Sequence, residues 1–516
     1  MDSQILSNSA LLAQVITLSA VVVAFLVLLP RLSLQFKLSK LPVFGLSTNN
    51  DKQRAFFLKY CTELYRKGYK QFTKSVYRMA ADDDIQYVVI PPKFLPELNK
   101  LSDDVVDLPA AVKKMLEGQY TKHETNFPTL MHTIKADLTP SLKRLNEHIS
   151  AEIDNAMERF MPPCEDWTKL AIYENLTNII AQVSGRLFVG PEYCRDPEYL
   201  NIAVNFTNET TTAAFAVKNC NKWLRPFKAS RLSEIQQLQN RHKRATKFFE
   251  PIIRQRQESD QKNSDDMLQW LMDRAKSSNI SMDISSLIRQ QLTLTVAAIH
   301  TTAMTATNSL FCLAAMPEYI EPLREEIQTV LDDNGGSLTP RALQQLVKLD
   351  SFIKEVGRWY PFSISKQKKT NKPPPASFAR YVHKPFTLSN GQHIPAGVIV
   401  EVPSDAVSFD ATIFTNPDDF DGFRFYKMRE NASTAELARS QLVSANERDM
   451  LFGYGKHACP GRFFAANEIK TVLVRMILDY DVVMPDGRTE RYEPIQVDRQ
   501  IMPNPSNSLL LRRRRG

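Results

Sequence analysis

One cysteine in this 516-residue chain stands in surroundings that suit metal ligation. In Phe452-Gly453-Tyr454-Gly455-Lys456-His457-Ala458-Cys459-Pro460-Gly461 it is flanked by Gly453, Gly455 and Gly461, residues that allow tight backbone paths. Pro460 restricts the turn that leads into Arg462 to Leu478, an amphipathic pattern with Ile469, Val472, Leu473, Met476 and Ile477 on one stripe. A thiol at the start of a helix meets the positive end of the dipole and unpaired N–H groups, which favour the thiolate, the form that binds metal. The other five cysteines (Cys61, Cys164, Cys194, Cys220 and Cys312) are scattered without paired spacing, which argues against a disulfide framework and fits packing residues in a reducing compartment.

Two further constellations could do chemistry or support it. Glu355 and Arg358 lie three apart on a helical pattern, Asp350 to Tyr360, so their side chains share a face. Alone, such a pair is a solvated salt bridge of little worth. His300 and Thr301 sit midway along a very long helical pattern, Ile284 to Met316, weakly polar along one side. A histidine there can relay protons, because its ordinary pKa is close to neutrality, or it can simply pack and hydrogen-bond.

The cysteine loop matches, at every specified place, the haem-binding signature of the cytochromes P450, Phe-x-x-Gly-x-His/Arg-x-Cys-x-Gly, and the resemblance runs from about residue 40 to the C-terminus. It implies Cys459 as the axial ligand of haem b, with Phe452 opening the loop and His457 at a propionate-binding place. Glu355-Val356-Gly357-Arg358 resembles the family's Glu-x-x-Arg, and Phe420-Asp421-Gly422-Phe423-Arg424-Phe425 the segment that supplies a second arginine. Glu355, Arg358 and Arg424 would then form a buried charge network locking the cysteine loop to the core. Arg380 resembles a second propionate partner, and Lys135, in a segment lacking the family's tryptophan, a third. Ala297-Ala298-Ile299-His300-Thr301-Thr302 resembles the oxygen-side motif, whose threonine helps deliver protons. It departs from that motif twice: Ala298 replaces a glycine that permits a kink, and His300 replaces an acid. The His-Thr-Thr variant is similar to that of fungal enzymes oxidising terpenoid skeletons.

The elements that must position these residues are mostly helical. Asp137 to Phe160 carries Leu138, Leu142, Leu145, Ile149, Ile153, Met157 and Phe160 at three- and four-residue steps. Ser230 to Gln257 is a charged helix or helix pair with Pro251 as its expected break. Strand signals are fewer: Ile85 to Ile90, then Phe378 to Val402, interrupted by the turn Ser389-Asn390-Gly391. The expected fold is mainly α, a large helical domain with a small β-rich subdomain, plus one N-terminal transmembrane helix. Its divisions are a short lumenal tail over 1–10, a transmembrane anchor over 11–30, a basic, proline-containing hinge over 31–45, a catalytic domain over 46–511 and a basic tail over 512–516.

The anchor rests on Leu11 to Leu29, apolar except for Gln14, Thr17 and Ser19, and long enough as a helix to span about 28 Å. No basic residue precedes it, whereas Arg31, Lys37 and Lys40 follow, so the positive-inside rule puts the catalytic domain in the cytosol. The expected location is the endoplasmic reticulum membrane, single-pass. On the cytosolic side the sequons at Asn175, Asn205, Asn208, Asn279 and Asn431 are chance matches. The formal charge of +8 owes four charges to Arg512 to Arg515, and no nucleic-acid module is present, so nucleic acid is not an expected partner.

The resemblance implies a monooxygenase fed by NADPH-cytochrome P450 reductase or cytochrome b5, in contact with membrane lipid and acting on an apolar small molecule. Substrate contacts are expected from Gln119 to Pro128, Asn205 to Phe227, the oxygen-side helix, and Pro361 to Ser365. The missing acid before Thr301 leaves open the same haem fold acting as an isomerase, dehydratase or peroxygenase without reductase. A non-enzymatic, membrane-tethered basic protein is the remaining alternative.

Overall fold

The computed structural model describes residues 32–47, 53–81, 85–258, 264–278, 283–361, 378–430, 432–497 and 500–515, with Val15, 17–19, Phe25 and Leu29. The architecture is mainly helical with a small β region. A 32-residue helix, Ile284–Ala315, runs through the centre. Around it pack Ile172–Phe188, Pro197–Asn219, Val347–Trp359 and Arg462–Asp479. Ile288, Leu292, Ile299, Leu310 and Phe311 are buried in the shared helical core. The long helix starts at Asp283, whose carboxylate accepts the Ser286 N–H at 2.6 Å and so satisfies an otherwise orphaned donor.

The largest sheet has six strands, in the order Val43–Phe44, Tyr77–Met79, Tyr87–Val89, Ile399–Val402, Phe378–Val382 and Val106–Asp107. The Phe378 and Ile399 strands pair antiparallel, with Arg380 opposite Val400. Gly391, at φ +82°, adopts the left-handed conformation that its turn requires. A second sheet places Leu509–Arg513 between Tyr480–Val483 and Thr168–Leu170.

Several boundaries differ from the sequence expectations. The helix expected from Asp137 begins at Thr139, after a π-helical stretch over Ile134–Leu138. Pro251 does not break its helix, which is continuous over Ser233–Glu258. The proline lies on the exposed face, so water can satisfy the carbonyl it deprives of an N–H. Residues 32–38, read as hinge, are helical, and Leu38 is fully buried in the sheet's core. Arg512 and Arg513, read as tail, lie within a strand, and Arg512 pairs with Asp481 at 3.1 Å. Most of 11–30 and all of 362–377 fall outside the described residues. Among the described residues, no helix is long and apolar enough to cross a membrane.

Candidate functional site

The cysteine loop is held by its own backbone and by its neighbours. Cys459 donates its N–H to the Phe452 carbonyl at 2.8 Å, closing the loop, and Arg462 donates to the Cys459 carbonyl, also at 2.8 Å. Gly455 has φ +64°, and a Cβ there would lie 1.9 Å from Asn99 Oδ1, so a larger residue would strain the backbone and displace the oxygen that accepts the Lys456 N–H. Gly461 makes no such demand, since a Cβ on it would meet open space. Cys459 is free, with its side chain partly exposed. Burial pushes its thiol above the usual range, against the pull of the Gly461 N–H and the Arg462 guanidinium. The helix start alone therefore does not favour the thiolate here.

Behind the loop lies the predicted charge network. Glu355 is fully buried and accepts from Arg358 Nε and Nη2 at 2.8 and 2.7 Å. Arg424 Nε reaches both of its oxygens at 3.2 Å. Other guanidinium protons go to carbonyls: Arg358 to Ser408, Pro417 and Asp419, and Arg424 to Thr415, Asn416 and Asp419. Two cations and one anion, Arg358 with all five of its protons bonded and Arg424 with four, can be tolerated away from water. Gly357, between Glu355 and Arg358, lets the helix meet the loop. A Cβ there would lie 2.6 Å from Leu451 Cδ2, immediately before Phe452.

At the edge of the loop, Arg380 and His457 come close enough that the arginine's charge, after burial, depresses the histidine's pKa. Arg380 is 5% exposed, pushed down to about 10 by burial, and lies over the Phe378 ring. Asp103, a residue the sequence did not single out, accepts from His457 Nε2 at 3.0 Å and from Lys456 at 2.6 Å. Lys135 stands exposed on Ile134–Leu138, its side chain without a hydrogen bond or ion pair among the described residues.

The long helix runs α-helical through Ala298 without interruption. Ala297 is exposed in mid-helix and Thr301 one turn later is partly exposed, so this face borders open space. Thr301 Oγ1 donates to the Ala297 carbonyl at 2.8 Å, which leaves its lone pairs free to accept. His300 points elsewhere. Its ring bonds Tyr173 Oη through Nδ1 at 2.9 Å and the Val204 carbonyl through Nε2 at 2.8 Å. It lines a separate cleft of about 740 Å³ with Tyr173, Leu200, Asn205, Asn208 and Met304, in which Thr301 takes no part. Burial lowers the His300 pKa, opposed by the Val204 carbonyl. Tyr173 carried no motif and could not have been found from the sequence. The expected substrate segment from Asn205 is helical as far as Asn219 and again from Arg225, with only Cys220 to Leu224 in irregular chain.

The donor set suits a flat, largely apolar, anionic iron macrocycle: one soft sulfur, an open helix face, and the Arg380 guanidinium beside the His457 ring at the rim. Comparison with known proteins points the same way. Residues 128–511 match the family model described as Cytochrome P450. The chain is 37% identical over 438 residues to "Cytochrome P450 monooxygenase ATR3" of Stachybotrys chlorohalonatus, covering 83% of this chain and 89% of that one. It is 32% identical over 486 residues to an "Ent-kaurene oxidase" of Gibberella intermedia, covering 92% and 88%. Among solved structures, the haem domain of cytochrome P450DA matches the fold with a TM-score of 0.66 at 14% identity, covering 92% of this chain and 98% of that one.

Proposed function

The chain belongs to the cytochrome P450 family of haem-thiolate monooxygenases, and from that premise we propose that it inserts one oxygen atom of O2 into a bulky apolar substrate of terpenoid type. The observation that carries the reading is the geometry around Cys459: a free thiol whose backbone N–H and carbonyl are both fixed, in a loop braced by the buried Glu355 network. Cys459 would ligate the iron, and Arg380 and His457 would hold the propionates. When bound, the haem supplies reductive activation of oxygen, with electrons delivered by NADPH-cytochrome P450 reductase.

The chain's own part is to position and to protonate. Thr301, its proton engaged with Ala297, accepts from a water and holds it on the open face. Glu355, Arg358 and Arg424 act at a distance, by fixing the helix on which the cysteine loop rests. The terpenoid assignment is supported by the ent-kaurene oxidases among the relatives and by the His300-Thr301-Thr302 variant.

A place on the endoplasmic reticulum membrane is supported by the apolar run over 11–30 and by an exposed patch of Trp223, Leu224 and Phe227 beside Lys222 and Lys228. The test is the reduced, carbon monoxide-bound spectrum: the full chain should show the red-shifted Soret band of a thiolate ligand, and Cys459→Ala should lose it. Product formation should need reductase and O2. Turnover with no electron donor would favour the isomerase, dehydratase or peroxygenase alternative.

A further inference from the structure

The helix Val347–Trp359 carries a second buried ion next to Glu355. The Lys354 side chain is 1% exposed, and its ammonium donates to the Gln441 carbonyl at 2.7 Å, to Ser444 Oγ at 2.7 Å and to the Asp449 carboxylate. These acceptors take all three of its protons. The Phe425 ring covers it at 4.9 Å. A lysine so enclosed is costly unless it is completely paired, and every partner here lies in one segment, 441–449, which leads into the cysteine loop.

Two lines of contact run from that segment to the cysteine. In the first, the other Asp449 oxygen accepts the Leu451 N–H at 3.0 Å, and the carbonyl of the following residue, Phe452, accepts the Cys459 N–H. In the second, the carbonyl of Val443, between Gln441 and Ser444, accepts from Arg462 Nε at 3.1 Å, and the same guanidinium donates to the Cys459 carbonyl. Both backbone polar groups of Cys459 therefore end routes that begin at Lys354. Leu451, the residue whose amide Asp449 holds, is also the one seated against Gly357. The segment works as a splint between helix and loop, and Lys354 pins it.

We propose that Lys354, paired with Asp449, is a positioning residue that sets the height of the Cys459 sulfur and keeps it ligated as a thiolate. The proposal rests on Cys459 being the haem ligand. Outer contacts of this kind tune a metal through the orientation of its ligand rather than by touching it. The Glu355 network fixes where the helix lies; the Lys354 pair fixes where the loop lies on the helix.

The experiment uses the haem-loaded full chain and the variants Lys354→Met, Asp449→Asn and the double variant. Its readouts are haem content, melting temperature, the position of the reduced carbon monoxide-bound Soret band, and the ferric–ferrous midpoint potential. In Lys354→Met, roughly half or more of the retained haem should lose the thiolate band, with a shifted potential in the remainder. Asp449→Asn should shift both readouts the same way by less, because the amide oxygen can still accept from Leu451. The double variant should be no worse than Lys354→Met, as expected of residues that act as a unit. Lower melting temperatures with an unchanged band and potential would overturn the proposal, leaving Lys354 a packing residue. If Lys354→Met does not fold, Asp449→Asn decides alone, and a band and potential identical to the parent's overturn the proposal. A parent without the thiolate band would sink the assignment of Cys459 as well, so the two failures are told apart.

Discussion

Tyr173 gives its phenolic hydrogen to Nδ1 of His300 across 2.9 Å, a direction set by the bond on the other side of the ring. The Val204 carbonyl at Nε2 can only accept, so Nε2 carries the ring proton and Nδ1 is left as the acceptor. Both nitrogens are thus committed to neighbouring helices, and neither is directed at Thr301.

The first prediction follows for coupling. His300→Asn should leave haem content and the ratio of product to electrons consumed unchanged, because the ring is engaged sideways. A fall in that ratio at constant haem content would assign His300 a proton-relay role instead. Tyr173→Phe should cost about 1 kcal/mol of stability in denaturant unfolding, the worth of one buried hydrogen bond.

The second concerns acid. Burial depresses the folded-state pKa of His300, so below the ordinary histidine pKa the unfolded chain binds more protons. The stability this neutral ring contributes is complete above about pH 6.5 and is lost as the pH falls. His300→Gln should therefore show a smaller drop in melting temperature than the parent on going from neutral to mildly acidic buffer. An equal drop would contradict the burial argument.

The third concerns the charge lock. Glu355→Gln leaves two buried guanidinium groups without their counter-ion, a cost of about 3–5 kcal/mol. The protein should bind haem in lower yield and melt earlier. A normal haem-to-protein ratio with an unchanged melting temperature would show that the network does not hold the loop.

The fourth concerns Glu468, fully buried, with Ser184 donating to one oxygen and no partner on the other among the described residues. Burial pushes it up to about 8, from an ordinary value of 4.5. Between those values the folded protein holds a proton that the unfolded chain has released, so stability falls as pH rises through the window. Glu468→Gln, permanently neutral, should flatten that fall in denaturant midpoints measured from about pH 5 to about pH 8. A fall as steep as the parent's would contradict it.

The fifth compares the propionate candidates. Arg380→Ala should weaken haem retention on dilution by about tenfold, as expected for one charge-assisted contact, whereas Lys135→Ala should have little effect. The reverse order would reassign the rim.

The sequence was most informative where chemistry demands particular residues at close spacing. Cys459 with its glycines, and Glu355 with Arg358, are local patterns, and helices such as Ile284–Ala315 and Arg462–Asp479 were legible from periodicity to within a residue. Partners far apart in the chain were not. Asp103 meets His457 from 354 positions away, and Tyr173 meets His300 from 127 away. Neither carries a local pattern, and both are fixed only by the packing of whole elements. The smaller strands escaped for the same reason: Val43–Phe44 and Val106–Asp107 are two residues long and exist because a sheet edge receives them. Pro251 was misread because the usual cost of an interior proline assumes a carbonyl hidden from water.

The Leu509–Arg513 strand lies at the middle of its sheet, between segments that begin at Thr168 and Tyr480. The sheet cannot close while the ribosome still holds residues 509–513. A nascent chain that already contains the whole cysteine loop must therefore wait with both outer segments of this sheet unpaired beside its helical core. Chaperones have their window during that wait, and a stop codon a few residues before 509 would make it permanent.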